Sequence, residues 1–297
     1  SFSIQKIQAE KSLVPVTEKY EEYGKLWPND PSRLEKRSEY SHYTSYIYSP
    51  QADNERFSTD NEQDLTDNDS TKPCDAFIKV FKVSGPEFDL KKFLREVSLA
   101  TRAFHPCVAE FLGFSIQSDK AIISYKYYQN GDLAYFLKEQ KNLDPFDRDM
   151  IIYGISRGLD YIHKVGIAHR IIHRNTVLID ENNRPFIGVF YLSKDTADGT
   201  LSINPLTGCM LLQPPNLEQN YELSDDVYFA VDIFYHFFTK LDDKKKRKID
   251  WERLNNIPEY LNLFNRMANP DKSQRPKMGE VSKEIERYFV KAYEGDQ

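Results

Sequence analysis

The residues that could carry chemistry gather in one stretch, Ile167-Ala168-His169-Arg170-Ile171-Ile172-His173-Arg174-Asn175-Thr176-Val177-Leu178-Ile179-Asp180. Imidazoles, guanidinia, an amide and a hydroxyl lie within eight positions. His173 and Arg174 add positive charge that could meet a phosphorylated segment, but a solvated surface is the preferred reading. Carboxylates lie nearby in sequence at Asp180, Asp195 and Asp198, but turns and loops ordinarily carry Asp. A second charged pair of interest is Lys79, inside the apolar run Ala76-Phe77-Ile78-Lys79-Val80-Phe81, and Glu96, in Phe93-Leu94-Arg95-Glu96.

Elements must position these groups. Tyr-, Ser- and Thr-rich residues 37–50 read as two strands, and the run from Ala76 as a third. Leu90, Phe93, Leu94, Val97 and Phe104 fall at helical spacing, and His105-Pro106 ends that helix. Strands are expected over 108–116 and 121–128, with Asn130-Gly131 turning out of them. Beyond that turn the chain reads as helical. A short helix from Leu133 is followed by a longer one marked by Met150, Ile151, Ile155, Leu159 and Ile162. The key stretch then leaves through a hairpin turned at Glu181-Asn182-Asn183. Ser224 is expected to cap a helix starting at Asp225, and two further helices follow near 261–267 and 281–289.

The chain has 297 residues, 40% hydrophobic and 13% aromatic, enough for one large domain or two packed lobes. Its formal net charge is −6, which gives no general attraction to nucleic acid or anionic membrane. Three scattered cysteines lack metal-ligand spacing and suit a reducing compartment, so a cytoplasmic location is expected. No apolar run reaches the ~20 residues of a membrane span. The acidic stretch 51–72 and the basic run 244–248 read as solvated loops.

The order of these pieces resembles the eukaryotic protein kinases, over about residues 37–290. His169-Arg170-Ile171-Ile172 through Thr176 is similar to the kinase catalytic loop, Phe77-Ile78-Lys79 to the phosphate-gripping strand, and Gly188-Val189-Phe190 to the magnesium-binding turn. The resemblance implies an α+β, two-lobed kinase-like fold. A β-rich N-lobe would occupy about 37–129 and a helical C-lobe about 130–290, flanked by residues 1–36 and 291–297. Asn130-Gly131-Asp132-Leu133 and Ser224-Asp225-Asp226-Val227-Tyr228 look most like the tyrosine-kinase-like group.

Against that family pattern three positions are degenerate. Ile171 stands where the resemblance implies the catalytic base, and Thr176 and Val189 where it implies the magnesium ligands. Magnesium requires hard oxygen ligands, which Val lacks. No glycine occurs in Glu39–Ser45, where the family has its glycine-rich loop; Tyr40 and Tyr43 are there instead. Lys79 and Glu96 are expected to pair, as a remnant phosphate grip or, preferred here, as a structural ion pair. Phe77 is expected to fill the adenine slot between Ile47 and Leu178, with Tyr125 at its back. His169, Phe190 and Phe111 match the hydrophobic stack that joins the lobes. Arg170 keeps its family place, Asp226 matches the anchor of the catalytic loop, and Arg275 matches an Arg whose acidic partner is replaced at Pro214-Pro215-Asn216.

The resulting expectation is a pseudokinase, not an enzyme, with no cofactor and no metal. It would act as a scaffold or allosteric regulator on a protein partner such as an active kinase or signalling protein. The alternative is an unconventional ATP-dependent serine/threonine or tyrosine protein kinase with residual phosphotransfer through Lys79 and Glu96.

Overall fold

A computed structural model describes residues 34–39, 43–49, 75–140, 142–199, 201, 220–239 and 250–293. The N-terminal flank to residue 33, Tyr40, the acidic stretch 51–72, Pro214-Pro215-Asn216, the basic run 244–248 and residues 294–297 lie outside the described residues. The chain divides into two compact units. One contains the described residues up to Leu90 together with Glu110–Tyr127; the other contains Lys91–Ala109 and the chain from Tyr128 onward. The β-rich and helical division expected from sequence is what the fold shows.

The first unit is a five-stranded antiparallel sheet. Its strands are β1 (Leu34–Glu39), β2 (Thr44–Tyr48), β3 (Ala76–Lys82), β4 (Phe111–Ile116) and β5 (Lys120–Lys126), in the order β1-β2-β3-β5-β4. Side chains of β3 alternate between the two faces, as any strand requires. Ala76 and Ile78 pack with Ile122 on one face, supported by Leu34, Tyr46, Tyr48, Val80 and Leu112. The other face therefore carries Phe77, Lys79 and Phe81. Register sets Ser45, Lys79 and Ile123 side by side, and likewise Ile47, Phe77 and Tyr125.

In the second unit, α1 (Leu90–Arg102, from Lys91 on) precedes α2 (Leu133–Glu139) and α3 (Pro145–Lys164). The buried core is built on α3, whose Ile151, Ile152, Ile155, Leu159 and Ile162 are wholly sequestered. Asp144 caps α3 by accepting the Phe146 N–H, and Pro145 starts it, a favourable pairing at a helix entry. Gly158 lets α3 touch the segment behind it. A Cβ there would sit 2.5 Å from the Cys107 carbonyl oxygen and 2.9 Å from Ile187 Cγ1.

Short strands β6 (Ile167–Ala168) and β9 (Lys194–Asp195) pair, as do β7 (Val177–Ile179) and β8 (Pro185–Ile187). Asn183 adopts φ 60° in the turn between β7 and β8, a conformation Asn tolerates. The remaining helices are α4 (Leu223–Thr239), α5 (Pro258–Met267) and α6 (Met278–Tyr293). The expected Ser224 cap is corrected: α4 begins at Leu223, so Ser224 is already helical, and its buried hydroxyl has no hydrogen-bond partner among the described residues. Asp225 closes this end instead, accepting the Glu222 N–H at 3.0 Å. Among the described residues no helix is long and apolar enough to cross a membrane.

Candidate functional site

The key stretch enters through β6 and is fixed by one carboxylate. Asp226, on α4 and wholly buried, accepts the backbone N–H groups of His169 and Arg170, both at 2.9 Å. It also accepts the Tyr221 hydroxyl at 2.6 Å and the His163 Nε2–H at 3.0 Å. Four donors on one carboxylate satisfy what burial would otherwise penalise. Burial alone raises the Asp226 carboxyl pKa. The bond and charge of His163, the charge of His169 and the Tyr221 bond outweigh it and hold the group below the usual value. This grip also explains Arg170, which takes φ 68°, a strained conformation for a side chain of its size. Its guanidinium donates to the Leu192 carbonyl at 2.7 Å and lies 6.0 Å from the Tyr221 ring centroid.

His169 is fully buried. Its Nε2–H donates to the Gly188 carbonyl at 2.8 Å, and its ring meets Phe190 edge-on at 5.6 Å. The structure thus brings together these two members of the expected stack. Phe111 lies on β4 in the sheet unit, where it meets Tyr125 edge-on at 5.7 Å.

The three degenerate positions stand as follows. Ile171 is buried, and a branched alkyl group neither takes nor gives a proton. The Thr176 hydroxyl accepts the His173 N–H at 3.1 Å and donates toward the carbonyls of Ile171 and His173, at 3.0 and 2.9 Å. It is committed to closing the loop. Val189 adopts φ 66° and supplies no oxygen from its side chain. The magnesium ion implied by the family therefore does not fit the side chains at these two positions. The neighbouring carboxylates do not replace them. Asp180 closes its own turn on Asn182 and Arg184, and Asp195 is bonded to the Ala197 N–H and to Arg102 at 2.7 Å. Among the described residues no group of three or more His, Cys, Asp or Glu side chains could hold a metal ion.

Asn175 turns away from the loop interior, as expected, and donates to Asp132 at 3.1 Å. The His173 Nδ1 accepts the Asn175 N–H at 3.0 Å, and burial pushes its pKa down to about 4. The ring is therefore neutral near pH 7, with its proton on Nε2.

On the sheet unit, Lys79 is buried at 4% exposure, and its ammonium lies 5.5 Å from the Tyr43 ring centroid and 5.4 Å from that of Tyr125. Ile47 and Tyr125 are buried, and Phe77, in register between them, is half-buried. Glu96 on α1 is buried at 3% exposure, and Leu178 on β7 is half-buried.

Arg275 is wholly buried and has an acidic partner that the sequence did not suggest. It donates to Asp225 at 2.8 Å, to the Ser224 carbonyl and to the Asn269 carbonyl, and stacks 4.8 Å over Tyr228. Lys272 also donates to Asp225, at 2.8 Å. Sequence reasoning missed Asp225, His163, Tyr221 and the role of Tyr43. For Asp225 no sequence signal separated it from an ordinary solvated acid in the first turn of a helix.

Residues 56–209, more than half of the chain, match the family model described as protein tyrosine and serine/threonine kinase. Residues of the chain are 34% identical to a leaf rust 10 disease-resistance locus receptor-like protein kinase-like protein of Arabidopsis thaliana, over 42% of this chain and 20% of that protein. They are 27% identical to a probable LRR receptor-like serine/threonine-protein kinase of the same plant, over 66% and 25%. They are 29% identical to an RGS domain-containing serine/threonine-protein kinase of Dictyostelium discoideum, over 54% and 15%. The chain thus spans a quarter or less of the length of these relatives. The expectation that the chain is not an enzyme is overturned by these findings: the matched family and the relatives are named for kinase activity. This chain belongs to the protein tyrosine and serine/threonine kinase family.

Proposed function

We propose that the chain is a slow serine/threonine-type protein kinase domain of the tyrosine-kinase-like group, with Lys79 supplying positive charge to the phosphates of a nucleoside triphosphate. The observation that carries this reading is the loop clamped by Asp226, which keeps the backbone on which phosphoryl transfer is organised in this family. Phosphoryl transfer passes through a loose transition state, so positioning and charge outweigh covalent chemistry by the protein. The missing carboxylates therefore lower the rate without removing the basis for it. Kinases turn over at ~1–100 s⁻¹; losing the base and the metal ligands at ~10³ each leaves a rate on the order of 10⁻⁵ s⁻¹.

Such a rate is read by incorporation of labelled phosphate at stoichiometric enzyme over hours. Slow incorporation that disappears in Lys79→Ala supports the reading. Incorporation equal in wild type and Lys79→Ala, or absent from both, refutes it.

A second role, binding a signalling protein such as an active kinase, is favoured by one contrast. The internal ties of the helical unit are complete at Asp225 and Asp226, while the positions facing phosphate chemistry are thinned to Ile171 and Val189. Partner capture that survives Lys79→Ala supports this role. Loss of capture in that variant, with the fold intact, points to a nucleotide-dependent switch instead.

A further inference from the structure

The face of the sheet that carries Lys79 is aromatic. Thr44 is paired with Val80 and Ser45 with Lys79, so Tyr43 lies across from Phe81. Their rings meet at 5.5 Å, and Phe81 in turn meets Phe88 at 6.3 Å. On the opposite side of Lys79, Tyr125 is held in register with Phe77 and wedged by the edge of Phe111. The ammonium thus stands between two π faces, 5.5 Å from Tyr43 and 5.4 Å from Tyr125, at 4% exposure. Such an arrangement answers part of the positive charge with ring quadrupoles and excludes water from it.

We infer that Tyr43 sets the affinity of this domain for a nucleoside triphosphate, because its ring lies 5.5 Å from the Lys79 ammonium and competes with a phosphate oxygen for that charge. The inference deepens the reading of a Lys79-dependent kinase domain and rests on it. The two rings are not equivalent. Tyr125 is buried at 5% exposure on a strand paired on both sides, and its ring is packed against the edge of Phe111. Tyr43 is half-buried and directly precedes β2, so a change of side-chain rotamer there leaves the strand ladder in place. Charge decides the competition. A phosphate oxygen carries a full negative charge where the ring offers a quadrupole, so a triphosphate displaces Tyr43 at a cost in affinity instead of being shut out. The phenolic oxygen has no part in the π contact, so a Phe ring should act as Tyr does.

The test is a titration of purified protein with a fluorescent, non-hydrolysable ATP analogue in metal-free buffer, alongside thermal melts without nucleotide. Tyr43→Ala is expected to tighten binding about tenfold, the scale of one desolvated cation–π contact. Tyr43→Leu keeps an apolar group on Phe81 and should tighten binding similarly, so it carries the test if the melt shows that Tyr43→Ala does not fold. Tyr43→Phe should stay within about twofold of wild type. The gain should vanish when Lys79→Ala is added. Equal affinity across the series, no binding by any variant, a gain in Tyr43→Phe, or a gain that survives Lys79→Ala each overturns the inference. Binding is read without turnover. Tightened binding with no phosphate incorporation would sink the kinase reading and leave the role of Tyr43 standing.

Discussion

Replacing Asp226 with Asn removes one charge and almost no volume, so its effect isolates what the carboxylate does. The native carboxylate serves four donors: two backbone N–H groups at 2.9 Å, a phenol at 2.6 Å and an imidazole at 3.0 Å. An Asn keeps one carbonyl oxygen and turns an NH2 group toward donors. On either flip, about two of the four lose their acceptor in a site without solvent. Each buried donor left unpaired costs ~1–3 kcal/mol, so the expected loss is about 3–4 kcal/mol. A unit of this size shifts its melting temperature by about 2–4 °C per kcal/mol, which gives a drop of roughly 6–16 °C. Equilibrium urea unfolding and a thermal melt read both quantities, and exchange of the His169 and Arg170 amides reads the loop itself. The sign with pH follows from the depressed pKa. The stabilisation by Asp226 is complete above the ordinary Asp value of ~3.9 and is lost as pH falls through the lower folded value, so the gap between wild type and Asp226→Asn should close only in strong acid. A loss below about 1 kcal/mol, or amide exchange unchanged at 169 and 170, would show that the loop is held by something else.

Two further outcomes can be checked in the same format. His173 is half-buried and neutral with its pKa lowered to about 4, so protons bind the unfolded chain first, and stability should fall as pH drops from about 6.5 toward 4. The effect is about 2 kcal/mol after allowance for solvent screening, and His173→Asn should flatten that slope; an unchanged slope rejects the assignment. Gly158→Ala drives a methyl group to 2.5 Å from the Cys107 carbonyl and should cost ~2–3 kcal/mol of unfolding free energy, whereas a loss under 0.5 kcal/mol would show that α3 can slide away from that segment.

Much of the fold was legible because period and punctuation agree in this chain. Ala76–Lys82 alternates as a strand must, and the apolar positions of Leu90–Arg102 and Pro145–Lys164 repeat as helices must. Element ends were less legible. A Ser before two acids reads as a cap, yet α4 starts one residue earlier and uses Asp225. The residue types at the catalytic positions were visible at once, because an alkyl group cannot be mistaken for a carboxylate. Asp226 was legible as the loop's anchor through the family resemblance, but His163 and Tyr221 were not, because tertiary packing brings them to it and sequence spacing carries no record of that. The half-buried state of Phe77 escaped for the same reason: strand alternation gives a residue's face, not what covers it. Activity was misjudged by a different route. Missing side chains were taken to mean no enzyme, whereas the matched family and the relatives are named for kinase activity.

The groups that hold the loop are distinct from those that would hold phosphate. Thr176 stands where the family has a metal-binding Asn, and its hydroxyl closes the loop by itself through His173 and Ile171. The turn therefore needs no ion to keep its shape. Asp226 fixes the preceding two residues, and Arg275 and Lys272 fix the neighbouring Asp225, all without any contribution from Lys79. Under the proposed function, phosphate would meet Lys79, whose ammonium lies 5.5 and 5.4 Å from the Tyr43 and Tyr125 ring centroids. The ties at Asp225 and Asp226 lie in the helical unit, and Lys79 lies on the sheet unit. On the proposed reading, a Lys79-dependent transfer step would respond to changes at Tyr43 while the ties at Asp225 and Asp226 stay in place.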